Sequence, residues 1–280
     1  MKIVDFRIPT RLAEAQAILR ELGPSAFPMA GGTSLVFLSG TEPKTAVDLT
    51  RLGLDGVHHE DGAFRIGAAA RIASLQHFRA GGWVLDRVAR HLASQQIRNM
   101  STVGGNIMRI FPWADFPVAL LALDAAMVIA GDGERTVGSD EFFSGQPGRL
   151  LKSGELLSAI RVQKMPASAG FGYRKETRAA MGFSLMTVAA VLELRGREIA
   201  KARVAIGAGV PFPARLTSVE AAILGRKASE ELFREAAAAG VKGLKLKAAA
   251  GVSDEYTAHL AEVTMADALT QAWAEAGKTT

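Results

Sequence analysis

The 280-residue sequence predicts an α+β fold in two parts, and three patterns lead to this expectation. A strand–helix–strand order within residues 1–50 predicts a small parallel βαβ unit. Helices then alternate with strands that are joined by tight turns, which is typical of a mixed or antiparallel sheet. A connector of small residues and proline at 163–170 precedes a second set of strands and helices. We therefore expect a domain boundary near residue 165.

The first unit is predicted from apolar spacing and its interruptions. Arg11–Leu22 has apolar residues at helical spacing, and Gly23-Pro24 stops this helix. A short buried strand is expected at 26–30 and another strand at 45–49. Between them, residues 31–40 predict a glycine turn that leads into a short helical piece.

The middle of the chain predicts two hairpins and two helices. Asp61-Gly62 is a favoured two-residue hairpin turn, and Asp132-Gly133 stands between two further apolar runs. Pro117 is tolerable in the first turn of the second helix. The expected hairpin, the two helices and the strand pair cover 57–70, 83–97, 114–125, 126–131 and 134–138.

The last third predicts a smaller α+β domain. Strands are expected at 171–176, 188–196 and 198–208, followed by three helices. The first of these helices carries Thr217 and Glu220 at capping-box spacing, with Gly225 as its stop. The other two are predicted at Glu230–Ala239 and Asp254–Ala276.

Composition excludes several classes of protein. The sequence has no cysteine, which removes disulfides, thiolate nucleophiles and cysteine-ligated clusters from this chain. The charges at its start leave no room for a signal-peptide core, and the longest apolar run is broken by Pro117 and Asp124. We expect a cytoplasmic protein without a membrane span. The net charge of +5 is scattered along the chain, so nucleic-acid binding is not expected.

Most catalytic signatures are missing from the sequence. It contains no zinc-protease, nucleophile-elbow, P-loop or dinucleotide-binding Rossmann motif. His58 and His59 are neighbours in a predicted strand, where successive side chains point to opposite faces. We therefore predict no catalytic side chains of these classes and no metal site.

Two glycine pairs remain, Gly31-Gly32 and Gly104-Gly105. Glycine lets a backbone approach a ligand closely, and successive N–H groups can form a nest for an anion. Hydroxyl residues follow the first pair, Asn106 follows the second, and Asp115 could accept hydrogen bonds from sugar-like hydroxyls. Either pair alone is more typical of a turn. Together, the two pairs are compatible with a nucleotide site and equally with two ordinary turns.

Longer stretches around these glycines resemble a known family. Ile97–Ala125, read as IRNMSTVGGNIMRIFPWADFPVALLALDA, resembles the flavin-binding signature of the molybdenum hydroxylases, which include xanthine dehydrogenase and carbon monoxide dehydrogenase. PMAGGTSLV at 28–36 is similar to the first flavin loop of the same family. GYRKETRAAMGFSLMTVAAVLEL at 172–194 resembles the opening of its C-terminal domain. The resemblance covers nearly the whole chain in order.

This resemblance implies a fold and a role. The fold would be an FAD-binding domain at 1–165, with subdomains at about 1–55 and 56–165, followed by a smaller C-terminal domain at 170–280. The chain would be the separate flavoprotein subunit of a molybdenum hydroxylase. It would bind FAD and pass electrons from partner iron–sulfur clusters to an external acceptor. A molybdopterin-binding large subunit and a 2Fe-2S small subunit are the expected partners, in a heterotrimer or a dimer of heterotrimers.

The resemblance also implies cofactor contacts, residue by residue. Residues 30–35 would wrap the diphosphate, and 102–106 would hold it from the other side. Asp115 would bind the ribityl or sugar part, Leu157 would pack on the cofactor, and Lys175 would lie near the flavin ring. Leu92 stands where some members place an aromatic residue near adenine. The expected set is Ala30, Gly31, Gly32, Thr33, Ser34, Leu35, Thr102, Val103, Gly104, Gly105, Asn106, Asp115, Leu157 and Lys175.

Plainer interpretations of these positions stay open. Leu157 and Leu92 could be core residues, Lys175 a surface strand residue and Asp115 a helix cap. The run Ile110–Ala114 is bulkier than the small residues usual before this Asp, so Trp113 could pack internally or contact a partner. A stand-alone FAD-dependent oxidoreductase and an assembly module without FAD are the alternative functions.

Overall fold

The computed structural model describes residues 2–35 and 40–277, and these form three sheets with ten helices around them. The first sheet contains β1 (Lys2–Arg7), β2 (Ala26–Met29) and β3 (Pro43–Asp48), in the order β1-β3-β2 and all parallel. Helix α1 (Leu12–Leu22) connects β1 to β2. A small parallel βαβ unit is present as expected, but its helix is α1 between β1 and β2, whereas the prediction placed the helix between the strands at 26–30 and 45–49.

This first unit differs from its prediction in three details. Strand β1 was not expected, because its charged residues hide the strand pattern. Strand β2 is half-buried rather than buried. The helical piece predicted within 31–40 falls partly on 36–39, which lie outside the described residues. The described portion is a turn, in which the Leu35 N–H donates to the Gly32 oxygen at 3.1 Å.

The second sheet is antiparallel and has the order β4-β5-β8-β6-β7. Both predicted hairpins are present, and Asp61 and Gly62 adopt the positive φ angles of 36° and 77° that a tight turn requires. The central strand β8 was not predicted, since its inner residues are apolar without alternation. The strands are β4 (Val57–Glu60), β5 (Ala63–Gly67), β6 (Ala126–Ala130), β7 (Glu134–Gly138) and β8 (Leu156–Gln163).

Six helices belong to this middle part of the chain. Helix α6 is shorter than expected, with Pro117 in its first turn, and all of its residues are buried. The helices are α2 (Ile72–His77), α3 (Leu85–His91), α4 (Gln95–Met100), α5 (Val103–Met108), α6 (Phe116–Ala122) and α7 (Ser139–Phe142).

The prediction of one helix over 83–97 is wrong, because the helix is interrupted between α3 and α4. Ala93 has a φ of 42°, and the Ser94 side chain caps α4 by accepting from the Ile97 N–H. The guanidinium of Arg98 donates to the carbonyls of Leu92 at 2.8 Å and Ala93 at 2.6 Å. Apolar spacing continues across the break, so it does not reveal where the first helix ends.

The third sheet is antiparallel in the order β12-β11-β10-β9. Its strands are β9 (Ala169–Thr177), β10 (Ser184–Arg195), β11 (Glu198–Ala208) and β12 (Ala214–Arg215), and the helices α8 (Thr217–Ile223), α9 (Glu230–Val241) and α10 (Asp254–Ala276) follow. The capping box at Thr217 is wrong. Glu220 instead accepts from the Val204 N–H at 2.9 Å and from Arg215 Nε at 3.0 Å.

The second and third sheets share one apolar core. That core combines residues from β5, β6, β8 and α6 with Phe171, Tyr173, Ala189 and Ala205 of the third sheet. The other face of the third sheet packs under α8, α9 and α10. Helix α6 therefore lies between the two sheets. No helix within residues 2–35 and 40–277 is long and apolar enough to cross a bilayer.

Two glycines bring α10 directly onto the third sheet. A Cβ atom at Gly170 would collide with the Ala272 carbonyl oxygen, and one at Gly172 with that of Ala268. The glycines are two apart on β9 and the alanines four apart on α10, so both pairs lie on one line of contact. The backbones of the helix and the strand therefore touch, without a layer of side chains between them.

We expect Gly172→Ala to lower the free energy of unfolding by about 2 kcal/mol, because the added methyl overpacks this contact. Urea denaturation measures the change. Gly133→Ala is the matched control, since a Cβ there meets no atom within 4 Å. Equal stability of the two variants would contradict the close contact between β9 and α10.

Candidate functional site

A cavity of about 620 Å³ opens where the first sheet, helices α4 to α6 and the third sheet meet. Its size is within the range that small-molecule and cofactor sites occupy. Five stretches line it: residues 27–35 from β2 onwards, residues around 92–97, the start of α5, residues 108–115, and Lys175 with residues 181–183. The cavity thus collects most of the positions that the sequence singled out.

The first glycine pair lies against the end of α4. A Cβ at Gly31 would collide with the Met100 carbonyl oxygen, and Gly32 adopts a φ of 68°. The hydroxyls of Thr33 and Ser101 are 2.9 Å apart and share a hydrogen bond. Within the described residues, no hydrogen bond occupies the N–H groups of 31–34. These amides are available to a ligand.

The second glycine pair is not a loop, and this corrects the sequence interpretation. Gly104 and Gly105 form the first turn of α5, whose cap is Thr102: its side-chain oxygen accepts from the Gly105 N–H at 3.1 Å. The N–H groups of Val103 and Gly104 donate to the Ala70 and Ala68 carbonyls at 3.0 and 2.8 Å. The backbone amides at 103–105 are therefore already used, so they form no anion nest.

Tertiary packing explains why this second pair consists of glycines. A Cβ at Gly104 would meet the Ala68 carbonyl oxygen at 2.5 Å, so Gly104 allows α5 to contact the segment after β5. Gly105 is exposed towards the cavity. Sequence patterns alone cannot separate a glycine that packs from a glycine that binds.

Asn106 supplies a polar atom without a partner. Its side-chain oxygen is buried and has no hydrogen-bond partner among the described residues, and the residue lines the cavity. Buried polar atoms are almost always hydrogen-bonded in native proteins. A ligand that donates a hydrogen bond in this cavity would satisfy it.

Asp115 is the centre of a buried polar cluster on the cavity wall. One carboxylate oxygen accepts from the Tyr173 hydroxyl at 2.9 Å and from the Ser184 hydroxyl at 3.4 Å. The other accepts from Lys175 Nζ at 2.8 Å. Lys175 also donates to the His91 carbonyl at 3.0 Å. This cluster joins the start of α6 to strands β9 and β10.

The electrostatics of the cluster follow from its burial. The side chains of Asp115 and Lys175 are only 4% and 7% exposed. Burial raises the pKa of Asp115, while the charge and the hydrogen bond of Lys175 oppose that rise. Burial, followed by the nearby Asp115 charge, raises the pKa of Tyr173 well above its usual value. The Tyr173 hydroxyl therefore stays protonated and acts as a donor.

Two of the plainer interpretations are excluded by this arrangement. Asp115 occupies the N-cap position of α6, but its carboxylate makes no capping hydrogen bond. Lys175 is not a surface strand residue, because its ammonium group is buried against Asp115. Sequence reasoning missed Tyr173 and Ser184. The only signal was the position of Tyr173, two residues before Lys175 on the same face of a strand.

The remaining predicted residues divide into two groups. Leu92 is buried and lines the cavity. Ala30, Leu35 and Thr102 also line the cavity. Leu157 lies within β8 in the shared core, outside the cavity lining. Val103 and Gly104 are also buried behind the lining. A cofactor role for these three residues stays a prediction.

Comparison with known proteins defines the class and then the family. A cavity of this volume, mostly apolar with a few polar groups, is typical of proteins that bind a small molecule or a cofactor. Residues 2–165 match the family model described as the FAD binding domain in molybdopterin dehydrogenase, and residues 171–272 match the carbon monoxide dehydrogenase flavoprotein C-terminal domain. The chain belongs to this flavoprotein family of the molybdopterin dehydrogenases.

Individual relatives agree with the family. The carbon monoxide dehydrogenase medium chain of Hydrogenophaga pseudoflava is 29% identical, over 96% of this chain and 97% of its own. The glyceraldehyde dehydrogenase medium chain of Sulfolobus acidocaldarius is 32% identical, over 75% of this chain and 77% of its own. A solved structure of the Hydrogenophaga pseudoflava carbon monoxide dehydrogenase superposes with a TM-score of 0.92 at 30% identity, covering 98% of both chains. The predicted fold class is confirmed.

The residues of the cavity fit FAD. The free amides at 31–34 suit a diphosphate, and the unpaired Asn106 oxygen suits a hydroxyl or amide donor. The cavity has the volume of a cofactor site and a mostly apolar lining for ring systems. The chain therefore carries an FAD-binding domain whose polar groups are compatible with the cofactor.

We expect Lys175→Met to lower the free energy of unfolding by about 3 kcal/mol at pH 7, because it leaves a buried carboxylate without its partner. Without Lys175 the folded-state pKa of Asp115 rises further above the unfolded value. Stability from protonated Asp115 is then fully present below the unfolded pKa and is lost as pH rises through the folded pKa. The deficit should therefore be smaller at pH 4.5 than at pH 7.

Urea denaturation of both proteins at the two pH values measures this deficit. Lys201→Met is the matched control, since Lys201 pairs with Glu193 on the surface and is 75% exposed. A deficit that is independent of pH would show that Asp115 remains charged without Lys175.

Proposed function

We propose that this chain is the FAD-carrying subunit of a molybdenum hydroxylase and passes electrons from iron–sulfur clusters of a partner chain to an external acceptor. The observation that carries the proposal is the cavity shared by the two glycine segments and the buried pair Asp115–Lys175. Family membership supports the same assignment.

The first glycine segment holds the diphosphate in this proposal. The amides at 31–34 donate to the phosphate oxygens, and the hydrogen bond between Thr33 and Ser101 fixes the segment against the start of α5. Gly105 leaves room for the cofactor, since its face towards the cavity has no side chain. Asn106 receives a hydrogen bond from the ribityl or ribose hydroxyls.

Asp115 has a role beyond the sugar contact first expected. Its carboxylate accepts from Tyr173, Lys175 and Ser184 and so holds the lysine in place, and its expected contact with the ribityl or sugar part of FAD stays a prediction. When bound, FAD supplies a ring system that takes up two electrons and gains negative charge. The pair Asp115–Lys175 sets the local potential at the cavity wall, because two opposite charges are fixed in a medium of low dielectric constant.

The partner subunits are proposed from relatives. Curated relatives are named medium chains, which supports a large and a small partner chain. A molybdopterin-binding large subunit and a 2Fe-2S small subunit, in a heterotrimer or a dimer of heterotrimers, are the proposed partners. We also propose the division into an FAD-binding domain up to residue 165, with subdomains that meet near residue 55, and a C-terminal domain from residue 170. The cytoplasmic location remains a prediction.

An absorption spectrum tests the cofactor assignment. We expect the purified full-length chain, after incubation with FAD and desalting, to show near-stoichiometric flavin bands. Gly105→Asp should lose them, because it places a carboxylate on the cavity wall close to the phosphates. Gly133→Asp, the same change in an exposed turn between β6 and β7, should retain them. A colourless parent chain that also takes up no added FAD would overturn the proposed function.

The redox potential of the bound flavin tests the role of the pair. Lys175→Met leaves the negative Asp115 behind and should lower the midpoint potential. Asp115→Asn leaves the ammonium group behind and should raise it. Potentiometric titration of the FAD-loaded variants measures both shifts, with Lys201→Met as the control. Shifts of the same sign in both variants would contradict control by the pair.

A further inference from the structure

The loop between α3 and α4 forms one wall of the cavity, and its backbone is strained. Leu92, Ala93 and Ser94 all line the cavity. Ile97, in the first turn of α4, lines it too. Ala93 has a φ of 42°, in the left-handed region that a residue with a side chain disfavours. Such strain persists only where surrounding contacts hold it, so the contacts of Ala93 decide the shape of this wall.

Arg98 holds the loop from outside the described cavity lining. Its Nη1 atom donates to the Leu92 carbonyl at 2.8 Å and to the Ala93 carbonyl at 2.6 Å. These carbonyls belong to the two peptide groups that flank Ala93. The guanidinium therefore restrains both of the backbone rotations that give Ala93 its left-handed conformation.

Two glutamines fix the guanidinium in turn. Arg98 Nε donates to Gln76 Oε1 at 2.9 Å, and Arg98 Nη2 donates to Gln95 Oε1 at 3.0 Å. Gln76 lies on α2 and Gln95 at the start of α4. A guanidinium presents its donors in a rigid planar fork, which the ammonium group of a lysine cannot reproduce. Arg98 therefore joins α2 and α4 to the loop in one defined orientation.

Direct binding of phosphate by Arg98 is the alternative, and the geometry opposes it. All three guanidinium nitrogens already donate to oxygens of the protein. The free amides that suit the diphosphate lie on another segment, at 31–34. The influence of Arg98 on a ligand therefore passes through Ala93 and the backbone beside it.

We propose that Arg98 is a positioning residue for FAD: it keeps Ala93 in its left-handed conformation and so holds this wall in place before the cofactor binds. The inference rests on the proposed function, because FAD is the ligand of the cavity. A wall that is already in place needs no further ordering when the cofactor arrives. Without Arg98, the backbone at Ala93 relaxes to an ordinary negative φ, and part of the binding energy is used to restore the wall.

Calorimetric titration of FAD into the full-length chain freed of cofactor measures this role. We expect Arg98→Met to weaken FAD binding about tenfold, by loss of the preorganised loop. Arg98→Lys should weaken it equally, since lysine keeps the charge but lacks the fork. Arg90→Met is the matched control and should bind FAD like the parent chain, because the Arg90 side chain pairs with Asp86 and is 51% exposed.

A substitution at Ala93 separates local positioning from general damage to the fold. Glycine adopts a positive φ without steric cost. Ala93→Gly should therefore return the Arg98→Met variant to within about threefold of the parent affinity. Gln76→Leu is the milder variant if Arg98→Met does not fold. It retains Arg98 but removes one of its acceptors, and it should weaken FAD binding about threefold.

Three results would overturn the inference in a parent chain that binds FAD. The first is unchanged affinity in Arg98→Met, or in Gln76→Leu where Arg98→Met does not fold. The second is full affinity in Arg98→Lys, which would assign the effect to charge. The third is a deficit of Arg98→Met that Ala93→Gly does not reduce. A parent chain that takes up no FAD would overturn the proposed function, and this inference with it.

Discussion

The buried ion pair between Asp115 and Lys175 fixes the start of α6 against the third sheet at the wall of the cavity. Asp115 begins the helix that lies between two sheets, and Lys175 lies on the edge strand of the third sheet. Removing both charges from water is unfavourable unless each finds partners. Tyr173 and Ser184 satisfy the second carboxylate oxygen, and the His91 carbonyl accepts from the ammonium. At this wall of the cavity, the charges of Asp115 and Lys175 both find partners in one arrangement of the surrounding strands and helix.

Close backbone contacts shape the rest of the site. Gly31 lets the first segment approach the end of α4, and Gly104 lets α5 approach the segment after β5. The two glycine pairs therefore have different structural roles. The first leaves its amides free, whereas the amides of the second are used within the chain. The cavity combines one ligand-facing segment with one packing segment.

Local sequence rules predicted the elements whose signals are local. The hairpin at Asp61-Gly62, the parallel strands β2 and β3 and the long last helix follow from turn residues and apolar spacing. Strand β8 and the break between α3 and α4 could not be predicted, since burial on both faces hides the first and bonds from Arg98 impose the second. The resemblance to a family located most of the cavity lining. It did not reveal that Asp115 holds Lys175, because that contact joins residues far apart in the chain.

The burial of helix α6 between two sheets affects the cooperativity of unfolding. It is buried between the second and third sheets, and the core around it includes Phe171 and Tyr173 of the C-terminal part. A fragment that ended near residue 165 would expose these apolar surfaces of α6 to water. The boundary that is visible in the sequence therefore does not divide the molecule into independently stable halves. The second and third sheets should unfold together in a single transition.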